Sequence, residues 1–276
     1  MTELLQAIIL GIVQGLTEFL PISSTAHLVI VPWLFQWESP LLTSLTFDLA
    51  LHMGTLIAVL AYFARDWVQL ASGFMTSVRN RNLQAPGARL AWLVVIGTIP
   101  AIIIGLLLEK FVESAFRSPL QIALILAGFS LVFILAERAV KRQRGAESLT
   151  FLEALFIGVG QALAVVPGVS RSGATISVGL FLGLDRSAAA RYSFLLSTPI
   201  IGGAGVKRLY ELRFVTIGNN DVLLMIVGAV SAGIAGWICI RWLIRYLGQR
   251  GLEAFVWYRL ALAVLVIDVY VARGGV

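Results

Sequence analysis

The sequence predicts an all-α polytopic membrane protein with six complete transmembrane helices and two re-entrant helix–loop–helix hairpins in an inverted repeat. Composition is the first indication: 59% of the 276 residues are hydrophobic and 13% are charged, about half the roughly 25% charged fraction of soluble domains. The second is a series of apolar stretches approaching the roughly 20 residues that span a bilayer core. The third is a pair of apolar segments interrupted in the middle by helix-breaking residues.

Uninterrupted apolar stretches define the complete spans. They lie at residues 46–63, 89–108, 119–138, 187–207, 221–243 and 254–272. An earlier stretch, Leu4 to Leu20, lacks a basic leader and contains Glu18, so we expect a membrane segment there and not a signal peptide. The single cysteine, Cys239, lies in an apolar span and excludes an intramolecular disulfide and a cysteine-based metal cluster.

Two further apolar segments, 3–36 and 151–184, are broken by polar and helix-breaking residues. The first break contains Pro21, Ser23, Ser24 and Thr25, and the second contains Pro167, Gly168, Ser170, Arg171, Ser172 and Gly173. A broken backbone is tolerated at membrane depth only where it is buried in protein or lines a wet cavity. We therefore predict two re-entrant hairpins, with a single tilted span as the alternative for each segment.

The order of elements predicts a single membrane domain, 1–276, built from two repeats. The first repeat covers 1–145 and the inverted second repeat covers 146–276, each a broken hairpin followed by three spans. Gly11 and Gln14 recur as Gly158 and Gln161, each pair ahead of a break. Transporters with inverted repeats place their sites at mid-membrane, where broken helices meet.

The distribution of basic residues predicts the orientation. The loops within 64–90, 138–150 and 241–252 carry eleven Lys and Arg, against six in the alternate loops and at the C-terminal end. The positive-inside rule places the richer set in the cytoplasm and both termini outside. The first hairpin then enters from outside. The same basic loops explain the net charge of +6, so we expect no nucleic-acid partner.

The first break contains the residues that are best suited to binding or catalysis. Gln14 and Glu18 are four residues apart and share one face of the first half-helix. Ser23, Ser24 and Thr25 stand where the second half-helix begins, where a hydroxyl can cap the helix and where the positive end of the helix favours anions. His27 follows one turn later. Three hydroxyls exceed what capping alone requires.

The second break places Arg171 between two serines in a glycine-flanked turn. The planar guanidinium suits phosphate, and nearby backbone amides and hydroxyls can complete a cradle. A structural alternative is that Arg171 pairs with Glu18 across the interface of the two hairpins. Both interpretations hold together if substrate displaces part of the pair.

Other ionisable residues within spans are candidates because charges there are unfavourable unless they serve a purpose. Asp48 and His52 are four residues apart, and either hydrogen-bond each other or take a direct part. Arg191, Arg259 and Asp268 lie near span ends, where snorkelling or interhelical pairing is expected.

The residues alone therefore predict an anion site at membrane depth, built from two half-helix tips. The added hydroxyl, carboxylate and histidine indicate phosphoryl transfer to a serine and then to water. A transporter or flippase of polyprenyl phosphate or another anionic lipid, or a lipid-phosphate binder, would show most of the same features.

At these residues the sequence closely resembles the undecaprenyl-diphosphate phosphatase family, the bacitracin-resistance proteins of the bacterial inner membrane. That family carries an (E/Q)xxxE motif running into FLPxSSTxH, and a PGxSRSGAT stretch in its second half. The corresponding stretches here are QGLTEFLPISSTAH, from Gln14 to His27, and PGVSRSGAT, from Pro167 to Thr175. The resemblance covers essentially the whole chain.

The resemblance implies dephosphorylation of undecaprenyl diphosphate to the monophosphate carrier lipid used for peptidoglycan and other envelope polymers. It also implies a divalent cation, Mg²⁺ or Ca²⁺, and a site open to the periplasm. Ser24 becomes the candidate nucleophile and Glu18 its base or a metal ligand. His27 becomes an acid/base or orienting group, and Arg171 the diphosphate clamp. Substrate contacts are then expected from Gln14, Ser23, Thr25, Ser170, Ser172, Gly173 and Thr175.

Gln14 departs from the members of the family that have a first glutamate, because it offers a metal only a neutral carbonyl oxygen. Asp48 is one candidate for a second acid beside Glu18, and a metal carried mainly by the diphosphate is the other solution. The sequence leaves the oligomeric state open, a homodimer included.

Overall fold

The computed structural model describes residues 2–116, 118–139, 144–212 and 218–275, and so leaves out part of the basic loop at 140–143. Regular structure in these ranges is helical, with one isolated bridge between Arg144 and Leu184. The helices are α1 Glu3–Phe19, α2 Ser24–Phe35, α3 Leu45–Tyr62, α4 Ala64–Asn80, α5 Ala88–Ala115, α6 Pro119–Ala139, α7 Phe151–Leu163, α8 Arg171–Phe181, α9 Arg186–Leu212, α10 Asn219–Leu247 and α11 Glu253–Ala272, with a short 3₁₀ turn at Ala146–Ser148.

Five helices in the described ranges are long and apolar enough to cross a membrane: α3, the Ala88–Leu108 part of α5, α6, α10 and α11. This is consistent with the predicted polytopic helical membrane protein. The remaining predicted stretch, 187–207, lies in α9, which has 27 residues but is less apolar than those five. Arg186 and Arg191 in its first two turns contribute to that lower hydropathy.

Helix α4 is an element that the hydropathy pattern did not predict, because it is too polar to read as a span. It occupies most of the segment taken for a basic loop at 64–90. Its inner side is anchored by Leu70, which is 4% exposed, and by Ser77, whose hydroxyl accepts a 2.9 Å hydrogen bond from the indole of Trp92. Arg65, Ser72 and Arg79 on its other side are exposed, so α4 is amphipathic.

Glycines allow the main helix pairs to approach closely. A side chain at Gly54 of α3 would collide with the carbonyl of Ala229 in α10, and one at Gly158 of α7 would collide with the carbonyl of Gly97 in α5. Membrane helices commonly pack through such small residues. These contacts hold α3 and α7 at a fixed distance from their neighbours, and α3 carries His52.

Both broken segments form helix–turn–helix hairpins, α1–α2 and α7–α8. Ser23 and Ser170 precede the second helix of each hairpin, with positive φ values of 75° and 73°. Each serine accepts a capping hydrogen bond from the backbone amide three residues later. The two turns also contact each other, since the Gly168 amide donates to the Ser23 hydroxyl at 3.1 Å. The Ser172 hydroxyl donates to the Leu20 carbonyl at 3.0 Å.

Candidate active site between the two hairpins

Glu18 lies at the centre of the polar cluster between the hairpins. It occupies the last turn of α1 and is 7% exposed. Its Oε2 accepts hydrogen bonds from Ser24 at 2.5 Å and from Gln14 at 3.1 Å. His52 Nε2 lies 3.4 Å from the same oxygen, and an Arg171 nitrogen lies 3.4 Å from Oε1. Three segments that are distant in sequence thus converge on one carboxylate.

Ser24 is the first residue of α2 and is buried. The 2.5 Å separation of its hydroxyl from Glu18 is that of a charge-assisted O–H···O⁻ hydrogen bond. A hydroxyl that already donates to a carboxylate can lose its proton to that carboxylate when the oxygen attacks an electrophile. The positive end of α2 favours negative charge at the same place.

Arg171 occupies the corresponding position in the second hairpin, as the first residue of α8. The contact with Glu18 is a single long one, and 25% of the arginine side chain remains exposed. The predicted pairing of these two residues is therefore present. It leaves Arg171 accessible on the wall of the cavity described below.

His27 is buried beside the site, and its ring forms no hydrogen bond with the side chains of Glu18 or Ser24. Nδ1 lies 2.7 Å from the Ser23 carbonyl, and Nε2 lies 2.8 Å from the hydroxyl of Tyr258. Since a carbonyl only accepts, Nδ1 carries a proton and donates. A neutral ring then accepts at Nε2 from Tyr258. This geometry suits the orienting role for His27, because the ring holds the backbone of the turn that precedes Ser24.

His52 also contacts Glu18, although the family resemblance implies no role for it. Its Nδ1 bonds to the backbone carbonyl of Asp48 at 2.7 Å, so the expected interaction of these two residues involves the main chain of Asp48. Nε2 then faces Glu18. The signal was present in the sequence, since a histidine within an apolar span is a functional candidate. Only the rotation of α3 against α1 shows which carboxylate it meets.

The serines of the first and second turns are largely occupied by structural hydrogen bonds. Ser23 accepts from Ala26 and Gly168 and lies 3.2 Å from the Thr25 hydroxyl. Thr25 also lines the cavity. Ser170 accepts from the Gly173 amide, which fits its role as the cap of α8.

Two more predicted substrate contacts lie deeper in the second hairpin. Ser172 donates to Leu20 and lies 3.2 Å from the Ser170 hydroxyl. The Thr175 hydroxyl lies 2.6 Å from that of Ser193 and 2.8 Å from the Arg171 carbonyl. Their direct contact with substrate stays a prediction.

Arg259 shows the interhelical pairing that was one of its two expected roles. The other role, snorkelling to a membrane surface, does not apply because its side chain is fully buried. It donates to the Ser130 hydroxyl at 3.0 Å and to the Leu126 and Gly168 carbonyls at 3.0 and 2.8 Å. The guanidinium also lies 4.8 Å from the ring centroid of Phe133. Arg259 therefore ties α11 to α6 and to the second turn.

The other two ionisable residues near span ends lie at the surface. Arg191 pairs with Asp66 of α4, as interhelical pairing requires. Asp268 is exposed on α11.

A cavity of about 1480 Å³ begins at the polar cluster and runs between α2, α5 and α9. Its wall is mostly apolar and includes Leu28, Val29, Ala101, Ile102, Ile200 and Ala204. The polar groups on the wall include Thr25, Asp48, Gln161 and Arg171, and Arg171 contacts Glu18. A cavity with this distribution fits a ligand that has a long apolar part and an anionic end.

The groups near Glu18 offer a small number of oxygen ligands for a divalent cation. Within the described ranges, no group of three or more His, Cys, Asp and Glu residues could hold a metal ion. Gln14 Oε1 is nevertheless buried without a partner among the described residues, and its amide also donates to Glu18. One carboxylate and one amide carbonyl fit a hard cation that takes its other ligands from phosphate oxygens and water.

The fold and the site define an all-helical protein, within the described ranges, that has several apolar helices long enough to cross a membrane and a buried serine hydrogen-bonded to a carboxylate. The family model of bacitracin resistance protein BacA matches residues 7–265. The chain belongs to this family, as the resemblance predicted.

Individual relatives match over nearly their whole length. The chain is 47% identical to an undecaprenyl-diphosphatase from Rubrobacter xylanophilus over 267 residues, 96% of this chain and 98% of the relative. It is 47% identical to one from Thermodesulfovibrio yellowstonii over 276 residues, covering 99% and 100%. A relative of the same name from Moorella thermoacetica is 44% identical over 269 residues, 98% of each chain.

Proposed function

We propose that this protein hydrolyses undecaprenyl diphosphate to undecaprenyl phosphate and inorganic phosphate. This reaction would return the lipid carrier to peptidoglycan and envelope-polymer synthesis and confer bacitracin resistance. The observation that carries the proposal is the arrangement of Ser24, Glu18 and Arg171 beside an apolar cavity. The names of the relatives supply the substrate.

In the proposed complex the diphosphate binds at Arg171 and Thr25, and the polyprenyl chain lies along the apolar wall. Arg171 provides a planar fork suited to phosphate oxygens. Binding of the anion would compete with the 3.4 Å contact between Arg171 and Glu18. The carboxylate would then be left to Ser24, Gln14 and His52.

Chemistry begins at the Ser24 hydroxyl. Its oxygen attacks the terminal phosphorus while Glu18 accepts the proton, and the bond to the bridging oxygen breaks to release undecaprenyl phosphate. Glu18 passes this proton to solvent. Water then attacks the phosphoserine while Glu18 accepts a proton from it. The bond between phosphorus and the Ser24 oxygen breaks, and Glu18 returns the proton to that oxygen as inorganic phosphate leaves. Arg171 balances charge on the transferred group. We assign His27 to holding the turn, and Ser23, Ser170, Ser172, Gly173 and Thr175 to shaping the cradle.

We further propose that a divalent cation, Mg²⁺ or Ca²⁺, is held by Glu18 and the carbonyl of Gln14 together with the diphosphate. Such a cation would neutralise charge on the phosphate oxygens. Asp48 lines the same cavity and is the second acid that we assign to this role.

The proposed membrane arrangement has six spans, α3, α5, α6, α9, α10 and α11, and two re-entrant hairpins. Helices α1 and α7 have 17 and 13 residues, about 25 and 20 Å, which is short of the roughly 30 Å hydrocarbon core. Helix α9 is long enough to cross, at about 40 Å. The matching turn geometry at Ser23 and Ser170 supports two repeats, 1–145 and 146–276, in a single membrane domain.

We place the protein in the bacterial inner membrane, with the site open to the periplasm and both termini outside. The distribution of basic loops supports this orientation. Transport or flipping of a polyprenyl phosphate, the alternative function, has only the repeat and the cavity in its favour.

The decisive experiment measures phosphate release from undecaprenyl diphosphate by purified protein in detergent. We expect turnover, with Ser24→Ala and Glu18→Gln each lowering the rate at least a hundredfold. Ser72→Ala, at an exposed position on α4, is the matched control and should leave the rate unchanged. A transporter would release no phosphate in detergent, because transport needs two compartments.

A further inference from the structure

Gln161 has a buried side-chain amide that takes no part in the contacts around Glu18. It lies in the last turn of α7, is 3% exposed, and lines the cavity that Arg171 also lines. Neither its Oε1 nor its Nε2 has a hydrogen-bond partner among the residues that the structure describes. Buried polar side chains in folded proteins nearly always have partners, so an amide with both ends unpaired on a cavity wall indicates a ligand contact.

The register between the two hairpins explains why this amide has no partner within the chain. The register that relates Ser23 to Ser170 also relates Gln14 to Gln161. In the first hairpin the amide of Gln14 donates to Glu18, four residues later. In the second hairpin the residue four positions after Gln161 is Val165, so the equivalent carboxylate is missing.

The N–H groups of Gln161 therefore lack an acceptor within the described residues, and Gln161 lines the same cavity as the cationic guanidinium of Arg171. The same register relates Ser24, which approaches Glu18, to Arg171. The first hairpin thus supplies an acid and a hydroxyl, and the second supplies a cation and a neutral amide. A negatively charged oxygen is the partner that satisfies both groups of the second hairpin.

We infer that Gln161 is a substrate-binding residue whose Nε2 donates to an oxygen of the diphosphate group bound by Arg171. The inference rests on the proposed function for the identity of the lipid. The shared chemistry, a diphosphate anion, is common to the lipid headgroup and to inorganic diphosphate. The amide acts in binding and takes no part in proton transfer.

The experiment compares Gln161→Leu with Ser177→Ala in the full-length protein in detergent. Leucine matches glutamine in size and removes both unpaired polar atoms. Ser177 is also fully buried on α8 with an unpaired hydroxyl among the described residues, but it is outside the cavity lining. It therefore controls for the removal of a buried polar group. Gln161→Asn keeps the amide but shortens its reach.

Four quantities are measured: KM and kcat for undecaprenyl diphosphate, the inhibition constant of inorganic diphosphate, and the Tm. We expect Gln161→Leu to raise KM and the inhibition constant about ten- to hundredfold, the value of one hydrogen bond to a charged ligand. We expect kcat within about threefold of wild type and a Tm that is equal or higher. Gln161→Asn should be intermediate, and Ser177→Ala should leave KM and the inhibition constant unchanged.

An unchanged KM and inhibition constant in Gln161→Leu would overturn the inference while leaving the diphosphatase assignment intact. A lower kcat with unchanged KM and a lower Tm would also overturn it, because that combination would show that Gln161 stabilises the fold and does not bind substrate. If wild type released no phosphate, diphosphate should still raise its Tm and fail to raise that of Gln161→Leu. That result would support the binding role and reject the proposed lipid substrate, and equal Tm shifts in the two proteins would reject the binding role.

Discussion

Replacing Arg171 by lysine tests whether the site needs a planar fork or only a positive charge. Arg171 contacts Glu18 through one nitrogen at 3.4 Å, and its side chain is 25% exposed. Lysine keeps a positive charge beside the buried carboxylate of Glu18, so the charge pair is retained. The substitution should therefore leave the Tm nearly unchanged, and its effect should appear in catalysis.

The magnitude follows from the hydrogen bonds that each side chain can make. Two charge-assisted bonds from a guanidinium to phosphate oxygens contribute roughly 1.5–3 kcal/mol each. Lysine keeps the charge and loses one bond, about 2 kcal/mol, which corresponds to about a thirtyfold lower kcat/KM. Alanine loses both bonds and the charge, at least about 4 kcal/mol, so Arg171→Ala should fall about a thousandfold.

Initial rates of phosphate release from undecaprenyl diphosphate measure these effects. The matched control is Arg191→Lys, since Arg191 is 51% exposed and pairs with Asp66 away from the cavity. That control should keep the wild-type kcat/KM. A kcat/KM for Arg171→Lys within threefold of wild type would refute the fork argument.

Other perturbations separate the remaining roles. His52→Asn removes the ring that faces Glu18, and kcat should fall about tenfold, whereas a wild-type kcat would make the contact incidental. Tyr258→Phe removes the hydroxyl bonded to His27. It should lower the Tm by a few degrees, for about 1 kcal/mol, with kcat/KM nearly unchanged, and a hundredfold loss of kcat would instead indicate proton transfer by His27. Arg259→Leu leaves the Gly168 carbonyl without this donor, which should destabilise the protein by about 1–3 kcal/mol, seen as a drop of several degrees in Tm, and an unchanged Tm would contradict this. Chelation with EDTA should abolish phosphate release, restored by Mg²⁺ or Ca²⁺, with little change in Tm, and full activity in EDTA would contradict the proposed cation.

Much of the architecture could be read from local sequence. Apolar runs locate the long helices, and Pro21 and Pro167 with their neighbouring serines and glycines locate both turns. The proximity of Ser24 to Glu18 was also accessible, because only a short turn separates them. In contrast, α4 escaped detection because its polar face lowers its hydropathy.

The partners of isolated polar residues could not be read in the same way. His52 was expected either to hydrogen-bond Asp48 or to take a direct part in the site. In the structure one ring nitrogen bonds to the Asp48 carbonyl and the other faces Glu18. Arg259 was expected to snorkel or to pair between helices, and the sequence did not show that its fully buried side chain bonds to the Gly168 carbonyl. In each case the unknown was how a helix is rotated about its own axis against its neighbours.

Local residue patterns suffice to predict that this chain is helical and apolar, with two breaks at turns that are rich in hydroxyls, one of which contains an arginine. Hydropathy and backbone chemistry suffice for that, since both act over a few residues. The packing of the helices shows in addition that His52 and Arg171 meet the carboxylate that Ser24 contacts. It also leaves the amide of Gln161, a residue that lines the cavity, buried and unpaired among the described residues. These contacts join distant segments, and close packing at glycines such as Gly54 and Gly158 sets the helix positions on which they depend.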